Sequence, residues 1–283
     1  MAQLLKIACI QLECEPDNIK LNMEKSLGFI TKAKKKGTDI IVLPELFNVG
    51  YDLALLKSLN YQHHESNFQQ SVSYLLATAQ QFKIHIVAGL LEAEYGKLYN
   101  SVFVISEKGI LTKYRKLALF SLSGEPELFE SGNQTATFMF EQFKFGIMIC
   151  FDIRFCDISQ KYLKDNCSCL IISSAFPFPR LDHWKTLLKC RAIENQLYIA
   201  AANRVGIDNG SFFLGNSCII DPWGTVRATA NETEETVIVY EMDIERVNEI
   251  RKNIPIQKSF EHIQALLKPN HEQETGNGIS NIF

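Results

Sequence analysis

Three apolar runs in this chain end on a residue that can move a proton or attack a carbonyl. "IIVLPEL" reaches Glu45, "ILTKYRK" ends in Lys116, and "FGIMIC" ends in Cys150, after which the chain turns charged and aromatic with Asp152 and Arg154. No histidine lies near Cys150 in sequence, so a nucleophilic thiol here needs another base or a cationic field. A carboxylate could take the thiol proton, and an ammonium could hold the thiolate and then an oxyanion. Each residue alone also has a plainer reading. Free cysteine is among the most buried residue types, Glu45 could cap a helix or sit at the surface, and Lys113 and Arg115 are as eligible as Lys116. Strand alternation sets Lys116 on the face opposite Lys113 and Arg115 without saying which face is inward. The other cysteines (Cys9, Cys14, Cys156, Cys167, Cys169, Cys190 and Cys218) read as packing residues.

The elements that must position these groups alternate. Leu5–Leu12 reads as a buried strand. Asp17–Lys36 reads as a helix, with Asp17 as N-cap, Met23, Leu27 and Ile30 at helical spacing, and Gly37 as the stop. "DIIVLPEL" is a strand ended by Pro44, 66–82 an amphipathic helix, and "IHIVAGLL" a further strand. "SVFVIS" and "ILTKYRK" flank a hairpin turn at 107–109, and "TATFMF" and "FKFGIMIC" flank another. A helix over 157–164, strand "CLIISSA", a helix over 182–195 and strand "LYIAAAN" follow. "GNSCIID" and "GTVRAT" pair through 222–224, then come strand "ETVIVYEMD" and a short helix over 244–251. The hairpins break strict βαβ alternation, which favours an α/β layered sandwich over a Rossmann fold. The reading is one domain, 1–268, and a loosely held polar tail, 269–283.

Composition narrows the function. The 283 residues are 46% hydrophobic and 22% charged, with a net charge of −3. No basic surplus exists for a phosphate backbone, so nucleic acid is excluded as a partner. Neither a leader nor a twenty-residue apolar span is legible at the N-terminus, so no membrane is expected. A cytoplasmic protein with eight free thiols is the expectation. Cys167 and Cys169 form C-x-C without a second pair at zinc distance, so no metal is expected. Neither G-x-G-x-x-G nor a P-loop motif is present.

The three motifs, in this order and separation, resemble the nitrilase (carbon–nitrogen hydrolase) superfamily: "VLPELFNVGY" its glutamate segment, "KYRKLALF" its lysine segment and "GIMICFDIRF" its cysteine segment. The resemblance runs from about residue 5 to 260 and implies a four-layer α-β-β-α sandwich. It implies Glu45 as general base, Lys116 as cationic stabiliser and Cys150 as nucleophile, without metal or organic cofactor. A second glutamate follows the lysine in the family; Glu125 fits that place better than Glu127. The backbone N–H of Phe151 joins Lys116 at the expected oxyanion. "FPRLDHWKTLLKCRAIENQLYIAAANRVG" is similar to the omega-amidase-type branch, which releases ammonia from short dicarboxylic monoamides such as 2-oxoglutaramate. Ala118 stands where the family has histidine, and Phe176 where relatives often show tryptophan, beside the substrate region. Arg154, Arg180, Lys185 and Arg204 are candidates for holding a distal carboxylate, and Arg191 and Glu194 are expected to brace a helix. The resemblance further implies a homodimer joined through helices. Rival readings are hydrolysis of N-carbamoyl amines, nitriles or amidated peptides, a thiol redox protein using Cys150 with Cys156, and a non-catalytic binding protein on the same fold.

Overall fold

The structure is a computed structural model that describes residues 4–266. The expected tail, 269–283, lies outside them. The first half comprises β1 (Leu4–Gln11), α1 (Ile19–Lys35), β2 (Ile40–Val42), α2 (Leu53–Ser58), α3 (Tyr61–Phe82), β3 (His85–Glu94), β4 (Lys97–Ser106) and β5 (Gly109–Arg115). The second comprises β6 (Thr137–Phe140), β7 (Phe143–Ile149), α4 (Cys156–Lys164), β8 (Cys169–Ser174), α5 (Leu181–Asn195), β9 (Tyr198–Asn203), β10 (Val205–Asp208), β11 (Ser211–Leu214), β12 (Cys218–Ile220) and β13 (Val226–Thr229). β14 (Thr236–Asp243) returns to the first sheet, and α6 (Ile244–Asn253) and α7 (Ile256–Leu266) end the described chain.

Two six-stranded sheets result, in the orders β14-β1-β2-β3-β4-β5 and β13-β12-β9-β8-β7-β6. Each has three parallel strands at its centre, β1-β2-β3 and β7-β8-β9. Parallel neighbours need a crossover, which α1, α3, α4 and α5 supply. Hairpins and antiparallel partners extend both sheets outward. The sheets pack face to face with helices outside, the α-β-β-α sandwich.

β1 shows why the central strands read as unbroken apolar runs. Leu5, Ile7 and Cys9 belong to the core between the sheets, while Ala8, Ile10 and Leu12 pack in the layer with Met23 and Ile30 of α1 and Leu75 of α3. Both faces are covered, so both must be apolar.

Several local expectations shift. Asn18, not Asp17, caps α1, accepting from Leu21 N–H. Asp17 has a positive φ of 51° and turns its carboxylate to His63 and Asn67. α3 begins five residues before the amphipathic pattern, because Asn60 caps it at His63 N–H. Its first turns bury His64 and Asn67, polar residues that carry no apolar period. β4 starts at Lys97, joined to β3 through Tyr95 and Gly96, both at positive φ as a two-residue hairpin turn requires. Cys156 and Cys190, read as packing residues, lie at the surface on α4 and α5, while Cys9, Cys14, Cys167, Cys169 and Cys218 are buried.

Gly89 of β3 shows how closely the site-bearing chain is packed. A Cβ there would stand 2.4 Å from the Pro44 carbonyl oxygen and 2.6 Å from Glu45 Cα. Both neighbours are backbone, so nothing flexible can yield. Gly89→Ala is therefore expected to destabilise the fold by about 1–3 kcal/mol, read as a lower urea midpoint with an unchanged m-value.

Candidate active site

The site forms where the carboxyl ends of both parallel strand sets converge. β2 runs out through Leu43 and Pro44 to Glu45, β5 ends one residue before Lys116, and β7 ends one residue before Cys150. The end of β8 joins them: Ser173 Oγ donates to the Leu43 carbonyl across the sheets, and Ala175 N–H donates to Glu45 Oε2 at 2.7 Å. Crevices at such strand ends are free of ladder pairing and open to ligands.

Lys116 is wholly buried, and its Nζ donates to Glu45 Oε1 at 2.8 Å and to Glu125 Oε1 at 2.6 Å. Asn100 Nδ2 donates to Glu45 Oε1 at 2.7 Å and to Glu125 Oε1 at 3.3 Å, while Asn100 Oδ1 is buried without a partner among the described residues. Tyr51 O–H donates to Glu125 Oε1 at 2.7 Å, and Phe120 N–H to Glu125 Oε2 at 2.7 Å. Burial disfavours the ammonium, but Glu125 and Glu45 outweigh it, so Lys116 stays charged with its pKa well above the ordinary lysine value. Glu127 is exposed. Lys113 and Arg115 point to the other face of β5, where both pair with Glu92 and Glu94.

Cys150 opens a 3₁₀ turn, Cys150–Arg154, with a positive φ of 43°. That conformation costs a non-glycine residue about 1–3 kcal/mol unless its surroundings hold it. Asp152 holds it. Its buried carboxylate accepts from Ile149 N–H at 2.9 Å, from Tyr114 O–H at 2.7 Å and from Ala118 N–H at 2.9 Å. One side chain thus ties the cysteine turn to the segment carrying Lys116. Burial pushes Asp152 up to about 6 against these bonds. Burial and the Glu45 carboxylate push the Cys150 thiol well above its usual value, opposed by Lys116 and by the Ser174 hydroxyl. The resting thiol is neutral and is next to a carboxylate. Phe151 N–H is among the opening N–H groups of the turn, which have no partner within it.

The basic candidates separate. Arg154 and Arg180 lie near each other, since the charge of Arg180, after burial, lowers the pKa of Arg154. The Arg154 guanidinium sits 5.7 Å from the Phe151 ring centre and 5.4 Å from that of Phe176, and Arg180 sits 5.4 Å from that of Phe120. Among the described residues neither has a carboxylate partner; Arg154 meets His183 Nδ1 at 3.2 Å. Phe176 is buried against Trp184, its N–H held by Asn203 Oδ1 at 2.8 Å. Arg204 does not share this freedom. It is wholly buried, paired with Asp208, and donates to the Cys14 carbonyl. It is a brace, because Asp208 and the Cys14 and Val205 carbonyls take four of its five N–H donors, which leaves no fork for a second carboxylate. Lys185 is exposed on α5 with Cys218 nearby. Arg191 pairs with Glu194 at 2.5 Å. Among the described residues no group of three or more His, Cys, Asp or Glu side chains is placed to hold a metal ion.

Sequence reasoning passed over Tyr51, Asn100, Asp152 and Ser174. Tyr51 closes the quoted glutamate segment and Asp152 lies two residues past the cysteine, so proximity was a signal for both. Asn100 and Ser174 carry none, because each reaches the site only through strand pairing.

The chain matches the family described as carbon-nitrogen hydrolase over residues 6–252. It is 37% identical over 252 residues to the 2-oxoglutaramate amidase of Bacillus subtilis (strain 168), covering 88% of this chain and 95% of that protein. Identity to the omega-amidase NIT2 of Homo sapiens is 32% over 263 residues, covering 89% and 93%. Among solved structures, Saccharomyces cerevisiae Nit3, a member of branch 10 of the nitrilase superfamily, superposes with a TM-score of 0.79 at 28% identity, covering 91% of this chain and 97% of that one.

Asp152 sets a pH dependence. Protonation removes an acceptor lone pair from a group that three donors address, so the cysteine turn loosens as pH falls below about 6. Turnover is expected to fall there. Asp152→Asn mimics the protonated form, so its turnover at pH 7.5 should be low and its pH profile should lack that inflection. Stability runs the other way. The folded value lies above the ordinary aspartate value of 3.8, so this group's contribution declines as pH rises from about 4 to 6. Denaturation midpoints across that window should show this slope in the wild type and lose it in Asp152→Asn.

Proposed function

The chain belongs to the carbon–nitrogen hydrolase family, in the omega-amidase-like branch of the nitrilase superfamily, and on that premise we propose that this amidase cleaves the carboxamide of a small dicarboxylic monoamide through a Cys150 thioester. The observation that carries the reading is the buried Glu45–Lys116–Glu125 cluster set against a neutral thiol. Glu45 Oε1 is committed to Lys116 and Asn100, whereas Oε2 takes one bond, from Ala175 N–H, and keeps a lone pair for a proton.

The thiol proton passes to Glu45 Oε2 as Cys150 Sγ bonds to the amide carbon. The tetrahedral oxyanion is met by Lys116 and Phe151 N–H; preorganised donors of this kind contribute about 3–4 kcal/mol each. Glu45 returns its proton to the leaving nitrogen, the C–N bond breaks, and ammonia departs from a thioester. Glu45 then takes a proton from water, whose oxygen attacks the thioester carbon. The acid leaves and the proton returns to sulfur. One carboxylate thus serves both half-reactions as acid and base. Glu125 positions Lys116 between its two partners. None of these steps calls for a cofactor.

Arg154 and Arg180 support the substrate class. Two guanidiniums without carboxylate partners among the described residues, backed by aromatic faces near the thiol, suit a bidentate carboxylate. The B. subtilis relative is named for 2-oxoglutaramate, which carries such a group. N-carbamoyl amines, nitriles and amidated peptides are the alternatives within the family.

We extend the proposal to a cytoplasmic homodimer. Eight free thiols fit a reducing compartment. Ile193 of α5, Trp223 and Ile254 form an exposed apolar face beside α6, fit for a second copy. Among the described residues no helix is long and apolar enough to cross a membrane.

Ammonia release is the assay. Cys150→Ala and Cys150→Ser should melt like the wild type and lose turnover; near-wild activity in either ends the mechanism. Lys116→Ala should lose turnover and also about 3–5 kcal/mol of stability by leaving two buried carboxylates unmatched. Lys113→Ala, by contrast, should stay near wild type in turnover. For substrate, kcat/KM on succinamate should exceed that on butyramide by about 10²-fold or more, because without the carboxylate the cations stay unmatched. Arg154→Ala and Arg180→Ala should close that gap, and a wild-type ratio near one would sink the carboxylate reading.

A further inference from the structure

Ser174 is the last residue of β8 and is wholly buried, yet among the described residues its hydroxyl has no hydrogen-bond partner in the resting site. An unpaired buried hydroxyl is costly, and most such groups find a partner. Its neighbours do: Ser173 Oγ reaches the Leu43 carbonyl, and Ala175 N–H reaches Glu45. Register explains where Ser174 faces. β7 and β8 run parallel with Ile149 opposite Ser173, so the next step along both strands sets Ser174 beside Cys150. The hydroxyl lies close enough to the Cys150 thiol to favour its anion, though short of full hydrogen-bond geometry.

We infer that Ser174 is a further catalytic residue, whose hydroxyl donates a hydrogen bond to Cys150 Sγ as the sulfur becomes a thiolate. The inference rests on Cys150 being the nucleophile proposed above. A neutral thiol is a weak acceptor, so at rest the hydroxyl gains little. When Glu45 takes the proton, charge develops on sulfur in a dry pocket, and the waiting O–H gains an anionic acceptor. The bond is then stronger in the charged state than in the ground state, which is the condition for lowering a barrier. The same bond weakens when sulfur is acylated and again when the thioester reforms a thiol, so the hydroxyl serves formation and release of the thiolate and no proton leaves it. Lys116 stabilises the same anion through its charge, and Ser174 adds direction. The position suits the task because β8 is buried on both faces and its end is pinned by Ala175 and by Arg204 N–H on the Ser174 carbonyl.

Ser174→Ala removes the hydroxyl and leaves the thiol, Glu45 and Lys116 in place. The rate of Cys150 alkylation by iodoacetamide, followed against pH and mapped by mass spectrometry, reads the thiol directly and needs no substrate. Its apparent pKa should rise by roughly one unit or more. The kcat/KM for succinamate should fall about 10- to 100-fold, chiefly in kcat. Melting temperature should stay level or rise, since an unpaired buried hydroxyl is gone. Ser174→Thr keeps the hydroxyl and should recover most of the alkylation profile. An unchanged alkylation pKa in Ser174→Ala, or a lowered melting temperature as its main effect, overturns the role and makes Ser174 a packing residue. Failure of the underlying reading looks different: turnover then persists in Cys150→Ala, whatever Ser174 does.

Discussion

A lysine with no exposed surface, held between two carboxylates, organises this protein. Lys116 bridges Glu45 and Glu125, and neither carboxylate has water to fall back on. Burying such ions is expensive, and their mutual attraction compensates only when the remaining lone pairs are also filled. The surroundings meet that demand: Asn100, Tyr51, Phe120 N–H and Ala175 N–H supply the missing donors. Four separate stretches of chain are thereby locked to one ammonium. The cluster sets two carboxylates against one ammonium, and Glu45 Oε2, with one bond from Ala175 N–H, keeps a lone pair beside the thiol. A group that needs this many partners cannot tolerate a slipped strand, and the register of both sheets serves it.

The double sandwich supplies that register. Central parallel strands bring their carboxyl ends, and the turns that carry Glu45 and Cys150, to one edge. Gly89 lets β3 pass against the backbone at Glu45, and Asp152 links the strained cysteine turn to the lysine segment. The two devices differ in kind. One removes an atom so that chains can approach, and the other adds a buried acceptor so that a costly backbone angle persists. Both spend little sequence on the site itself.

The same arrangement weighs against a redox role. Cys150 is buried in the cluster, whereas Cys156 is exposed at the start of α4. A thiol pair meant for exchange gains nothing from a cluster in which burial and the Glu45 and Glu125 carboxylates raise the Cys150 pKa against the opposing pull of Lys116. A proton acceptor beside a neutral thiol suits acyl transfer. A silent binding fold would have no reason to keep an ion cluster this costly.

Sequence alone determined the layers and singled out three residues, Glu45, Lys116 and Cys150, that the fold brings together. Unbroken apolar runs mark strands covered on both faces, amphipathic stretches mark the outer helices, and each reactive residue stands directly after such a run. Alternation also put Lys116 opposite Lys113 and Arg115, though only the packed sheets decide that its face is inward. Tertiary structure alone decided which distant residues share the site. Asn100 and Ser174 arrive through strand pairing. It also decided that Arg204 is matched by Asp208 while Arg154 and Arg180 have no carboxylate partner among the described residues. The physical reason is range. Periodicity and turn chemistry act over a few residues, but the partner of a buried charge is set by which chains meet in space.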